Sequence, residues 1–145
     1  MNLESRSIDL NRINWSVQIG NQVSLAPIIT DNFVFFRTGE TIGSISALNR
    51  ATGQVLWQTP DPNMISNIVY LSSKKQLIAL TYEGNLVAID VKNGKQTTLV
   101  EFSTTPFLLH GDATIGGYEL AYDEKSKMIY LLLGDSKQLF AFHVD

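Results

Sequence analysis

The chain has 145 residues, 44% of them hydrophobic, with a formal net charge of -3 and no cysteine. That is the size of one domain with material for a core. The mild charge offers no footprint for a nucleic-acid backbone, and the lack of cysteine removes disulfides, thiolate metal sites and cysteine nucleophiles. No run of the sequence approaches the ~18 apolar residues of a membrane span, and the first residues lack the apolar centre of a secretory signal. As written the sequence reads as soluble, with the cytoplasm favoured over other compartments and its compartment otherwise open.

In chain order, residues 8–19 read as a strand that ends on the pattern of a later one. With Trp15 laid on Trp57, Asn11 falls on Gly53 and Ile13 on Val55, and Asn is the next best residue after Gly for a left-handed turn position. Residues 23–30, containing Pro27, predict the first strand of a sheet. The aromatic and β-branched run 33–38 predicts the second, and 44–48 and 54–59 the third and fourth. Pro60-Asp61-Pro62-Asn63 cannot continue a strand. A second set follows at 66–71, 76–82, 85–89 and 95–100, with hairpin turns at Lys74-Lys75, Glu83-Gly84 and Asn93-Gly94. Residues 118–122, 128–133 and 138–144 predict three more strands. No segment predicts a helix.

The phrase Ala47-Leu48-Asn49-Arg50-Ala51-Thr52-Gly53-Gln54-Val55-Leu56-Trp57 returns as Ala88-Ile89-Asp90-Val91-Lys92-Asn93-Gly94-Lys95, and its first half as Ala141-Phe142-His143-Val144-Asp145. A period of roughly 40 to 45 residues with four strands per copy is the signature of a propeller blade. The expected architecture is therefore all-β: four-stranded antiparallel blades, three per chain, with blade 1 at 23–59, blade 2 at 64–101, an insertion at 102–117 and blade 3 at 118–145. The opening strand 8–19 supplies the outer strand that blade 3 lacks. Three blades are too few for a ring of four to eight, so two chains are expected to close a six-bladed ring as a homodimer by exchanging that strand.

These phrases resemble the blade repeat of pyrroloquinoline-quinone-like propellers, from Trp15 onward. The resemblance implies a β-propeller related either to quinoprotein alcohol dehydrogenases or to non-enzymatic scaffold propellers of the outer-membrane assembly type. The sequence departs from the pattern at Asn49 and His143, which stand where Asp is expected, and at Thr98, which stands where the closing Trp is expected. In the quinone-dependent enzymes the cofactor lies over an eight-bladed funnel beside calcium, commonly under a vicinal cysteine pair. A chain with three blades and no cysteine is read as the non-enzymatic branch, without cofactor.

Within this reading Trp15, Ala47, Gly53, Trp57, Ala88, Asp90, Gly94 and Ala141 are structural: the Trp docks one blade on its neighbour, the Gly turns the chain, and Asp90 and Asn49 bond turn amides. Isolated lysines at Lys74, Lys75, Lys125 and Lys127 solubilise hairpin turns and discourage foreign strand pairing. His110 and Asp112 form the one closely spaced pair that resembles acid–base equipment, without a third partner. Long loops in compact domains are often functional, so the insertion, with Phe102, Phe107, Leu108, His110 and Asp112, is the candidate interaction element, or else a lid over blade 3. The expected function is a protein-binding scaffold that also binds itself, with neither nucleic acid nor metal as a ligand. The alternatives are a piece of a larger quinoprotein-like dehydrogenase, or a propeller that binds a small ligand or carbohydrate.

Overall fold

The computed structural model describes residues 2–9, 11–19, 23, 25–39, 43–101, 118–133 and 138–144. Among these the regular structure is all strand, in antiparallel sheets: β1 (Asn2–Arg6), β2 (Ile13–Gln18), β3 (Ile28–Ile29), β4 (Phe33–Thr38), β5 (Ser44–Asn49), β6 (Val55–Pro60), β7 (Val69–Leu71), β8 (Gln76–Leu80), β9 (Asn85–Asp90), β10 (Gln96–Glu101), β11 (Tyr118–Asp123), β12 (Met128–Leu133) and β13 (Gln138–His143). No helix among them is long and apolar enough to cross a membrane. The four-stranded sheets β3-β4-β5-β6 and β7-β8-β9-β10 follow chain order, as propeller blades do. The chain divides into two compact units, Met1–Asp61 with Lys92–Gly94, and Pro62–Val91 with Lys95–Asp145.

In the first unit, β4 and β5 form the buried middle of their sheet, because the run Phe-Val-Phe-Phe and the small pair Ser46-Ala47 fill both faces. β3 is only two residues long. Pro27, which has no N–H to give a ladder, precedes it, and Val23 meets Thr38 as an isolated bridge, so the strand expected over 23–30 is mostly irregular. The outer strand β6 alternates exposed and half-buried residues, as an edge strand facing water should.

The opening of the chain corrects the expectation of a single strand over 8–19. β1 and β2 form a hairpin, with Ile8 in its turn, and the register matches that of β5 and β6 position for position. Leu3 faces Val17 as Ile45 faces Thr59; Ser5 faces Trp15 as Ala47 faces Trp57; both ladders then shift by one residue before Arg6–Ile13 and Leu48–Val55. The turns agree as well, since Ser7 N–H bonds the Arg12 carbonyl and Asn49 N–H bonds the Gln54 carbonyl, both at 2.9 Å. The hairpin is thus the third and fourth strands of a blade. The edge by which β6 meets its third strand is, in β2, already taken by β1. Donation of a lone opening strand to a partner's third sheet does not fit this pairing.

In the second unit, β7 starts at Val69 rather than at residue 66. The Ser66 hydroxyl accepts the Leu80 N–H at 2.9 Å, and Ser66 bridges to Tyr118 in parallel. The sheets β7-β8-β9-β10 and β11-β12-β13 share one core of Leu71, Ile78, Leu80, Leu86, Ala88, Leu120, Ile129 and Leu131, with Phe140 and Phe142 packed against it. Burial of such side chains contributes about 1.5–3 kcal/mol each. Polar side chains tie the two sheets as well, Asn67 among them: it donates through Nδ2 to the Leu120 carbonyl at 2.9 Å and accepts the Leu120 N–H on Oδ1 at 2.7 Å. It imitates a pair of ladder hydrogen bonds.

Candidate functional site

Of the residues expected to build the blades, Trp15, Ala47, Trp57, Ala88 and Ala141 lie within strands, Asp90 ends one, and Gly53 and Gly94 lie in turns. Gly53 and Gly94 both adopt φ of +72°, and a Cβ on either would strike an indole, that of Trp15 at 2.6 Å or that of Trp57 at 2.7 Å. Glycine is required there twice over, by the left-handed backbone and by the ring lying on it. Trp15 also donates Nε1–H to the Arg50 carbonyl at 2.8 Å. The Asn49 side chain accepts the Ala51 and Thr52 amides at 2.9 and 3.1 Å, which is the turn role foreseen for it. Asp90 N–H bonds the Lys95 carbonyl at 2.9 Å, in the position that Asn49 and Ser7 hold in their own turns.

Two motif positions depart from the sequence pattern. The ladder shift in β10 comes later than in β6, so Thr97 faces Ala88 as Trp57 faces Ala47, and Thr98 faces Val87. Ala141, the counterpart of the buried Ala47 and Ala88, is exposed. It lies on a face of the third sheet that, among the described residues, no sheet of its own unit covers.

Phe102, Phe107, Leu108, His110 and Asp112 lie outside the described residues. Among the described residues no three of His, Cys, Asp and Glu converge to hold a metal ion. In the first unit a cleft of about 310 Å³ lies among Leu3, Glu4, Trp15, Pro27, Ile29 and Arg50; the Arg50 guanidinium there donates to the Thr30 carbonyl at 3.0 Å. In the second unit a shallower depression of about 230 Å³ is lined by Thr81, Glu83, Asn85, Gln96, Thr97 and Thr98. Burial works against the Glu83 carboxylate, but hydrogen bonds from Asn63 and Thr81 and from its own backbone hold its pKa below the usual value.

A further feature had no signal in the sequence. Arg37 and Asp61 form an ion pair, Nη2 to Oδ2 at 2.5 Å, with both side chains only 3% exposed. It anchors the segment after β6 to the middle of the sheet. Its burial and its proximity to backbone, with Asp61 N–H bonded to the Gly43 carbonyl at 3.0 Å, make it a structural lock.

The family model described as outer membrane protein assembly factor BamB matches residues 7–106. The chain belongs to this family of propeller repeats related to the quinone-binding propellers. Solved structures agree on the fold. BamB from Moraxella catarrhalis is similar at 16% identity and TM-score 0.54, over 93% of this chain and 41% of that one. A europium-containing methanol dehydrogenase is similar at 16% identity and TM-score 0.58, over 91% of this chain and 34% of the enzyme. The quinohemoprotein alcohol dehydrogenase ADHIIG from Pseudomonas putida HK5 is similar at 15% identity and TM-score 0.54, over 99% and 32%. The chain therefore spans well under half the length of each. No curated protein matches the sequence.

Proposed function

We propose that this chain is a non-enzymatic protein-binding propeller module, acting as a scaffold in the manner that its family's description, an assembly factor for outer-membrane proteins, suggests. The observation that carries this reading is where the polar side chains of the repeat are spent. Asn49 caps a turn, Asn67 bridges two sheets, and Arg37 and Asp61 neutralise each other in the interior. Besides polar residues, the sheets leave strand edge and some aliphatic side chains at the surface, among them Ile29, Leu99, Leu132 and Leu139, which are materials for binding protein. The partners are a polypeptide client and a second copy of the chain.

The test is a fluorescence titration of the labelled chain with a urea-unfolded outer-membrane barrel polypeptide diluted into buffer. Saturable binding at micromolar concentration is expected. Absence of saturation, with unchanged signal from an unrelated unfolded protein as reference, would contradict the scaffold reading.

A second reading is supported by the likeness to the two dehydrogenases, one of which superposes with the higher TM-score of 0.58. In it the chain is part of a larger quinoprotein-like propeller whose reacting groups lie in other blades. Binding of pyrroloquinoline quinone, read by quenching of Trp15 and Trp57, separates the two.

A further inference from the structure

The turn from β8 to β9 is fixed by its own hydrogen bonds. Thr81 N–H bonds the Asn85 carbonyl at 2.9 Å, Gly84 N–H the Thr81 carbonyl at 3.0 Å, and Asn85 N–H the Thr81 hydroxyl at 3.2 Å. Asn63 clamps the turn from outside, accepting the Tyr82 N–H on its carbonyl at 2.8 Å and donating through Nδ2 to the Glu83 carboxylate at 3.0 Å. Tyr82, inside this fixed turn, is nonetheless 62% exposed. A tyrosine carried on a turn already held in place has little conformational entropy left to lose when a partner covers it.

Glu83 and Asn85, from this turn, line the hollow of about 230 Å³ together with Gln96, Thr97 and Thr98 of β10. Here β10 departs from its sibling in the first unit. It carries its extra residue, Leu99, between the pairs Thr98–Val87 and Val100–Leu86, where β6 runs without a break from Trp57 to Pro60. Such a bulge re-aims the side chains next to it, as bulges beside functional sites do. The charge around the hollow is negative. Glu101 lies abreast of Asn85, and the described lysines of the second unit, Lys74, Lys75, Lys95, Lys125 and Lys127, stand in or next to turns at the opposite ends of the strands.

We infer that the hollow beside the β8–β9 turn takes the guanidinium of an arginine in a polypeptide partner. The planar fork of N–H donors suits the Glu83 carboxylate and the hydroxyl and amide oxygens around it, and the ring of Tyr82 offers a face to the cation. Blades of a propeller stack on sheet faces and leave the turns at the ends of the sheets uncovered, so a neighbouring blade does not account for an exposed Tyr82. The inference rests on the reading of the chain as a binder of polypeptide, and it names the side chain that one site grips.

Titration of the full isotope-labelled chain with N-acetyl-arginine methylamide, followed by amide chemical shifts, tests it. Saturable shifts at Glu83, Asn85 and Thr98 are expected at millimolar concentration, and the citrulline analogue, of the same shape without the charge, binds roughly 10-fold more weakly or worse. Glu83→Gln, which keeps an acceptor for Asn63, weakens the arginine ligand about 10-fold and Tyr82→Ala about 3-fold, while Glu119→Gln leaves it unchanged. The absence of saturable shifts at these amides overturns the inference. So does citrulline binding as tightly as arginine, or methyl glucoside binding there in its place, since either assigns the hollow to a neutral ligand. Equal losses in Glu83→Gln and Glu119→Gln overturn it as well, because they report diffuse charge. The citrulline comparison needs no variant and decides the matter if Glu83→Gln does not fold. Failure here leaves the scaffold reading standing wherever the barrel polypeptide still binds saturably.

Discussion

The indole of Trp15 rests on the α-carbon of Gly53, so closely that an added Cβ would lie 2.6 Å from the ring. The same contact recurs between Trp57 and Gly94. It joins an outer strand to a turn 38 residues downstream in one case and 37 in the other, and it is what makes the repeat cohere. Gly53→Ala and Gly94→Ala are each expected to destabilise by about 2–4 kcal/mol, combining left-handed backbone strain with a displaced ring. Urea denaturation measures this, and a loss below about 1 kcal/mol at both positions contradicts the packing role. Trp15→Phe keeps an aromatic ring but loses the bond to Arg50 and part of the indole's volume, so about 1–3 kcal/mol is expected.

Arg37 and Asp61 are buried together. Removing one partner leaves an uncompensated charge, so Asp61→Asn is expected to cost about 3–5 kcal/mol. The double variant Arg37→Met, Asp61→Leu is expected to recover most of that loss, as buried pairs replaced by apolar groups often do. A double-mutant cycle by thermal or urea unfolding checks it; additive losses would contradict the pairing.

Asn67 replaces a strand where the second and third sheets approach. Asn67→Leu strands both the N–H and the carbonyl of Leu120, each worth about 1–3 kcal/mol when buried and unmet. Asn67→Asp keeps the acceptor and loses the donor, so its loss is smaller above the carboxylate's pKa. Hydrogen exchange at the Leu120 amide reports the bond directly: protection is lost in Asn67→Leu and retained in Asn67→Asp.

Asp123 accepts the Ser126 hydroxyl and the Lys125 amide, and these bonds hold its pKa below the usual value. A depressed folded-state pKa contributes stability above the unfolded value, and the contribution is lost as pH falls through the folded value. Ser126→Ala is expected to move the Asp123 titration upward toward that of an ordinary aspartate. Carboxyl carbon shifts followed across the acid range show this, and an unmoved titration contradicts the assignment.

The repeat was legible because its signals are local. Gly53, Gly94 and the turn at Lys74-Lys75, where Lys75 takes φ of 55°, mark hairpins, and the runs around Phe35, Ile78 and Leu131 mark buried strands. β1 was not legible, since Asn-Leu-Glu-Ser-Arg has neither apolar alternation nor strong strand formers. Only the pairing with β2 reveals it as a blade strand. Arg37–Asp61 and Asn67–Leu120 join residues 24 and 53 positions apart, and no local pattern predicts either. The exposed Ala141 was misleading for a related reason: a repeat motif records where a side chain points, while its burial depends on which sheet lies over it.

The central claim is that this propeller module works through protein-binding surface rather than through a redox centre. Titration of the full chain with pyrroloquinoline quinone, in the presence of calcium or a lanthanide and read by the fluorescence of Trp15 and Trp57, tests it most directly. No saturable quenching is expected. Saturable quenching that requires the quinone would contradict it.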